Sequence, residues 1–419
     1  MEFKPALVIP FMGTELDLGK RTMTVRRGRN FLQTPGPTNI PDRILNAMHQ
    51  PAWEYSGPDF AALARECLTD IRPIFKTDGK VFIYGSNGHG AWEAALSNIL
   101  SPGDKVLVPE TGLFSFAWSA MAKDLGVTIE TIPSDWRHAI DANQVEEYLR
   151  ADTKGEYRAV LMVHTETATG ITSDIPSVRK AMDAAGHDAL LVTDVIASLA
   201  CTDFRMDEWG VDVAIGGSQK GLMCPIGLGF NATNDKARAV AKAGGSPRAY
   251  WDWEARSTAR PEVYRWFAGT APEHMIFGLR EALDMLAEEG LEATFARHRR
   301  LGDATRAAVS AWSTAGAMEL NALVPGQRAE SITTIRMGKD YDGKAFQGLL
   351  RENFNVAVGG GLGQLEGKAF RIGHMGDVNE PMILGTLASI EAAFQILGTP
   401  YGEGALPAAI ASLAKAHGT

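Results

Sequence analysis

The sequence predicts an α/β protein: a mainly parallel sheet covered by helices, followed by a smaller α+β C-terminal domain. Three observations carry this. Between residues 81 and 235, short apolar or β-branched runs alternate with helical stretches and Gly/Asp/Pro turns, the rhythm of strand–helix–strand crossovers. Chemistry-bearing polar residues stand at the ends of those runs, where an open parallel sheet presents ligand groups. At 419 residues, with 45% apolar and 22% charged content, the chain has ordinary globular composition and material for a sizeable core.

Taken in order, residues 1–45 read as an N-terminal extension and pocket-lining segment. The basic cluster 20–29 is expected to pack on the surface or at a subunit contact. Pro35-Gly-Pro-Thr38 forces an extended, turn-rich path, because its prolines disfavour helix. A helix is expected to start near Pro58. Strands are expected at 81–84, 105–109, 128–132, 159–164, 189–194 and 211–215, all within a large domain spanning 46–285. A helix beginning near Phe277 carries Leu279, Ala282, Leu283 and Leu286 on one face and bridges to a small domain, 286–419. There, 331–336 and 369–372 read as strands and 381–397 as a closing helix.

The bulk numbers exclude several classes. A net charge of −9 argues against nucleic acid or an anionic membrane as partner. No stretch approaches the ~20 apolar residues of a membrane span. The N-terminus makes a poor signal peptide and the C-terminus lacks a peroxisomal tripeptide, so a cytoplasmic protein is expected. Cys67, Cys201 and Cys224 are an odd number at wide spacings, which suggests buried free thiols and neither a disulfide framework nor a metal site. Cys224 has no evident acid–base partner and is not read as a nucleophile. Val358-Gly-Gly-Gly-Leu-Gly363 lacks the strand–turn–helix context of a dinucleotide fingerprint.

Three stretches carry chemistry. The run 211–215 delivers Lys220 into the small-residue loop Gly216-Gly-Ser-Gln-Lys-Gly221, and the run 189–194 ends on Asp194. Pyridoxal 5′-phosphate (PLP) needs such a pair: an amine to form a Schiff base, and a carboxylate to keep the pyridine nitrogen protonated. The third, Tyr84-Gly-Ser-Asn-Gly-His-Gly-Ala-Trp-Glu93, follows a strand and opens a helix, so its free N–H groups and the helix dipole make an anion site. Singly, these read as a solvated lysine, a strand-end acid and a tight glycine turn. Together, each at a strand end, they make one PLP site.

The chain resembles the class V, fold-type I PLP-dependent aminotransferases, in particular the serine–glyoxylate and alanine–glyoxylate enzymes. The resemblance runs from about residue 31 to 400 through Pro35-Gly-Pro-Thr38, Gly88-His-Gly-Ala-Trp92, His164-Thr-Glu-Thr-Ala-Thr-Gly170, Gly217-Ser-Gln-Lys220 and Phe370-Arg-Ile-Gly-His374. It implies a seven-stranded large-domain sheet and a homodimer with active sites at the interface. Lys220 would be the Schiff-base lysine and Asp194 the partner of the pyridine nitrogen. Phe114 would stack on the ring, beside Ile196, and Thr167 would bond the ring hydroxyl. Asn87, Gly88, His89 and Gln219, with Thr270 from the second subunit, would hold the phosphate. Arg371 would take the substrate α-carboxylate, with Gly36, Thr38 and Tyr55 lining the substrate space.

The implied reaction is amino transfer from serine or alanine to glyoxylate or a similar 2-oxo acid, giving glycine. Aspartate–glyoxylate transfer, a pyridoxamine-type aminotransferase and a PLP-dependent lyase are the alternatives on this scaffold. Two departures bear on the choice. Relatives often carry His or Tyr followed by Arg where this chain has Tyr55-Ser56, which weakens a dicarboxylic donor. Where Tyr-Thr-Pro is usual, this chain has Gly269-Thr-Ala. A desulfurase needs a mobile cysteine in the C-terminal half, and no cysteine follows Cys224.

Overall fold

The computed structural model describes residues 28–256 and 262–418. The expectation for the basic cluster falls mostly on residues 20–27, outside the described residues; Arg29, at its end, pairs with Asp42 at 2.5 Å.

Seven strands form the large sheet in the spatial order Lys80–Gly85, Leu228–Thr233, Val213–Gly217, Leu190–Asp194, Tyr157–Val163, Lys105–Pro109, Thr128–Ile132. All pairings are parallel except those of Leu228–Thr233, which runs antiparallel to both neighbours. The inner strands Lys105–Pro109, Tyr157–Val163, Leu190–Asp194 and Val213–Gly217 are largely apolar because both faces are covered, whereas the edge strand Thr128–Ile132, Thr-Ile-Glu-Thr-Ile, is mostly exposed or half-buried. Alternate residues enter opposite cores: Val160, Met162, Leu191 and Ala214 on one face, and Leu161, Val163, Val192 and Ile215 on the other. That second core is closed by the helix Gly88–Ile99, through Trp92, Ala95, Leu96 and Ile99.

Two boundaries differ from expectation. The strand expected at 211–215 runs over Val213–Gly217, so both glycines before Ser218 belong to the sheet. The strand Leu228–Thr233 is not among the expected strands; its reversed direction puts Leu228 opposite Gly85 and returns the chain beside the Asn87 turn.

The second sheet has five strands, in the order Phe31–Gln33, Val356–Gly360, Ala369–Gly373, Ile332–Met337, Met318–Leu320. Val356–Gly360 is a further strand not among those expected, and it takes in the first glycines of Val358–Gly363. It pairs with Ala369–Gly373 on one side and, in parallel, with Phe31–Gln33 on the other. Thus the first described strand completes the sheet of the chain's C-terminal part. The helix Glu380–Leu397 does not close the chain: Ala405–His417 follows, and both share a core with Leu291–Trp312 through Ile383, Phe394, Leu413 and Trp312. No helix among the described residues is long and apolar enough to cross a membrane.

Candidate active site

The C-terminal ends of the parallel strands surround a cavity of ≈ 250 Å³. Gly36, Asn87, Gly88, His89, Phe114, Thr167, Asp194, Ile196, Gln219 and Lys220 line it, together with Pro37, Trp92, Val163, Thr165, Ala197 and Ile226. Ten of the sequence-predicted residues therefore share one wall. Each is brought there by a strand end: Asp194 closes its strand, Thr165 and Thr167 follow Val163, Lys220 follows Gly217, and Asn87 follows Gly85.

Asp194 is 4% exposed, and burial pushes its carboxyl up to about 6. Three groups oppose that rise. The Ile196 N–H donates to Oδ1 at 2.7 Å, the Trp92 indole Nε1–H donates to Oδ2 at 2.8 Å, and the Lys220 charge favours the anion. Trp92 fits the core pattern of its helix, which is all the sequence shows of it; its indole also fixes the acid.

Lys220 is 7% exposed, and burial, reinforced by the Arg371 charge, brings its amine down to about 8. A substantial share of the amine is then neutral near pH 7–8, the state in which it can act as nucleophile or base. Its Nζ donates to the Pro35 carbonyl. Gly36 makes this approach possible: φ is +90°, and a Cβ there would fall 2.6 Å from Lys220 Cδ. Thr38 is off the cavity wall. Its backbone N–H donates to Gln219 O at 3.2 Å and its hydroxyl to Lys220 O at 3.1 Å, so it tethers the lysine's backbone.

The features at the turn fit a phosphate-bearing ring. Asn87 caps the helix Gly88–Ile99 by accepting from Gly90 N at 3.2 Å, leaving the first N–H groups of the helix available. A Cβ at Gly88 would lie 2.5 Å from Ile196 Cδ1, so the backbone comes close only because none is present. Gln219 Oε1 is buried without a partner, and the Thr167 hydroxyl has none among the described residues. Acid, amine and N–H cradle together match the donors and acceptors of PLP.

Arg371 does not line the cavity but adjoins it. Its Nε donates to Gly360 O at 2.7 Å and its Nη1 to Thr167 O at 3.0 Å; Nη2 has no hydrogen-bond partner among the described residues. Burial brings its guanidinium down to about 10, still charged at neutral pH. Two predicted residues stand apart: Tyr55 is 36% exposed, and Thr270 is exposed and off the cavity wall. His164 is buried behind the site, its Nδ1 paired with Ser198 Oγ at 2.9 Å.

Sequence reading passed over Glu166. It is fully buried between the ring side and the Arg371 side of the site. Its carboxyl accepts from the backbone N–H of Phe114 at 3.1 Å, Ser115 at 3.4 Å and Ala168 at 3.0 Å. Burial pushes it up to about 7, against those three donors. It thus pins both the aromatic that borders the cavity and the loop whose carbonyl holds Arg371. Its signal was the acid within His164-Thr-Glu-Thr-Ala-Thr-Gly170, an apolar-flanked strand end where an unpaired carboxylate would be costly.

Comparison with known proteins agrees with this geometry. The aminotransferase class-V family model matches residues 30–365. A serine–glyoxylate aminotransferase of Methylorubrum extorquens is 42% identical over 395 residues, covering 93% of this chain and 97% of the relative. An L-aspartate–glyoxylate aminotransferase of Paracoccus denitrificans is 39% identical, covering 89% and 93%. Among solved structures, the ureidoglycine–glyoxylate aminotransferase of Bacillus subtilis superposes with a TM-score of 0.84 at 27% identity, covering 93% of this chain and 99% of that one. The sheet order, the strand-end lysine–acid pair and these similarities make the chain a member of the class-V aminotransferase family, on the fold-type I scaffold.

Proposed function

We propose that this chain is a PLP-dependent aminotransferase that moves the amino group of a small amino acid, serine or alanine, to glyoxylate or a similar 2-oxo acid, giving glycine. The observation that carries it is the buried Lys220 amine and the buried Asp194 carboxylate on one cavity wall, with Arg371 adjoining. Bound there, PLP would supply an aldehyde that captures amines covalently and a ring that draws electrons from the captured carbon.

The chain's own residues do the rest. Lys220 would be the residue that holds the cofactor and, with its lowered basicity, would as a free amine move a proton at the substrate α-carbon. Asp194, held by Trp92 and Ile196, would keep a proton on the ring nitrogen. Phe114 would cover one ring face and Thr167 would bond the ring hydroxyl. Asn87, Gly88, His89 and Gln219 would hold the phosphate. Arg371 would present Nη2 to the substrate α-carboxylate, fixing which bond faces the lysine.

The small donor is favoured by Ser56, whose hydroxyl donates to Glu54 Oε1 at 2.9 Å. Relatives often carry an arginine there, whereas here a hydroxyl is tied to an acid, which suits a neutral side chain better than a carboxylate. A homodimer is supported by exposed Trp53, Tyr55, Tyr250 and Tyr264, and by Thr270 lying off its own cavity, free to serve a second copy. Three buried, reduced cysteines support a cytoplasmic setting.

The test is a set of half-reactions on PLP-loaded protein. Serine, alanine, aspartate and a bulkier amino acid are added singly while the visible band of lysine-bound cofactor is followed; glyoxylate is then added. Loss of the band with serine or alanine and recovery with glyoxylate is the expected result. No loss with any donor, while borohydride still fixes the cofactor to Lys220, would reject amino transfer in favour of lyase chemistry.

A further inference from the structure

A second cavity, of ≈ 130 Å³, lies at the other end of the strand Lys80–Gly85 from the Asn87 turn, beside Gly79 to Phe82. Four cationic residues line it, Arg65, Arg72, Lys80 and Arg256, and among the described residues no acidic one does. Arg65 and Lys80 are exposed and the Arg72 side chain is 39% exposed, so water screens these three; Arg256 is buried, and three further positive charges around the same space favour an anion in it.

Arg256 shows the imbalance most clearly. It is 1% exposed. Its Nε donates to Tyr250 O at 2.8 Å, and its Nη1 to Ile83 O and Trp266 O, each at 3.2 Å. Its guanidinium also lies 4.6 Å from the ring centres of both Tyr84 and Tyr250. These contacts hold the side chain, yet Nη2 is buried without a partner among the described residues. Arg72 differs in having a side chain 39% exposed and paired through Nη2 with Asp78 at 4.0 Å, but its Nε is likewise buried and unpartnered. Arg65 lies over the Trp266 ring at 4.6 Å. Among the described residues Arg65, Lys80 and Arg256 form no ion pair.

A buried guanidinium with an empty N–H and no counter-charge is costly, and structures retain one where an anion supplies both. We propose that this cavity binds a small oxyanion, a phosphate group accepting from Arg256 Nη2 and Arg72 Nε, with Arg65 and Lys80 closing its outer side. The phosphate class follows from the charge, since a dianion matches several cations better than a monocarboxylate, and from a volume suited to one tetrahedral group with a short tail. Burial lowers the Arg256 basicity, and an adjacent anion would restore it. A plain structural role for Arg256, as a plug between two tyrosine rings, leaves its Nη2 and the Arg72 Nε unaccounted for.

The experiment is calorimetric titration of inorganic phosphate, and separately of glycerol 3-phosphate, into protein saturated with PLP, so that the cofactor's own phosphate site is filled. The double variant Arg65→Gln/Arg72→Gln changes one exposed and one partly exposed cation and should fold; Arg256→Gln, at the buried contact, is the second variant and should weaken binding likewise. Saturable binding to the wild type that weakens at least about tenfold in the double variant supports the site. Equal binding of the two probes assigns it to free phosphate, and tighter glycerol 3-phosphate assigns it to a phosphomonoester. No saturable binding, equal binding by wild type and double variant, or the same response to chloride at matched ionic strength overturns the proposal.

Discussion

Replacing Trp92 by phenylalanine isolates the bond that fixes the state of Asp194. The substitution keeps an aromatic against Trp118, whose ring centre lies 5.8 Å away, removes the indole N–H that donates to Asp194 Oδ2 at 2.8 Å, and leaves a small cavity where the indole's second ring was. A hydrogen bond to a buried charged group contributes about 1.5–3 kcal/mol. At about 1.4 kcal/mol per pH unit, its loss should move the Asp194 titration upward by about 1–2 pH units. The starting point is already raised, at about 6, by burial. In the PLP-free protein the protonated-carboxyl infrared band is followed against pH, with the Asp194→Asn spectrum subtracted to isolate this group. The variant's midpoint should lie above the wild type's by that margin, with PLP affinity reduced. A midpoint unmoved in a variant that unfolds as cooperatively as the wild type would refute the assignment of the indole as a determinant of the acid's charge.

Glu166→Gln tests the second buried acid. Its folded value, about 7, lies above the ordinary 4.5, so the native state binds the proton more tightly. Wild-type stability relative to the variant should therefore fall as pH rises from about 4.5 to 7, by about 3 kcal/mol in all, and level off above that. Denaturant unfolding across pH measures the difference, and a slope of opposite sign refutes it. Arg371→Lys should raise the donor KM roughly ten- to hundredfold with a smaller change in kcat, since one ammonium cannot hold Gly360 O and Thr167 O and still aim a donor at the carboxylate as the planar guanidinium does. Gly36→Ala places a Cβ 2.6 Å from Lys220 Cδ at φ +90°. It should cost about 1–3 kcal/mol of stability and lower the fraction of cofactor that borohydride fixes to Lys220, read by thermal unfolding and mass spectrometry.

What the sequence discloses here follows from burial. Strands covered on both faces are largely apolar, so five of the seven in the large sheet stand out as apolar runs, and their ends mark Asp194, Lys220 and the Asn87 turn; the edge strand Thr128–Ile132 shows instead by its β-branched residues. Leu228–Thr233 was hidden because Gly229 and Asn231 interrupt its apolar pattern. Val356–Gly360 was hidden by its glycines, which carry no side chain to register a period. The partnerships of Trp92 and Glu166 were out of reach for another reason. One reads as an ordinary core aromatic and the other as a strand-end acid, and only the fold brings the indole to Asp194 and the carboxylate to the N–H groups of Phe114 and Ser115.

Residues 31–38 join two distant parts of the molecule: Phe31 pairs with Val356, while Pro35 and Thr38 hold Lys220. During synthesis this segment leaves the ribosome first, and its sheet partner follows more than three hundred residues later. The large sheet can form in the meantime from neighbouring crossovers, yet Lys220 should stay without the carbonyl that positions it until the last quarter of the chain is made. A ribosome-stalled or truncated product lacking Val356–Gly360 should therefore contain a folded sheet with an unsecured Lys220. Competence for chemistry would arrive as a late event of translation.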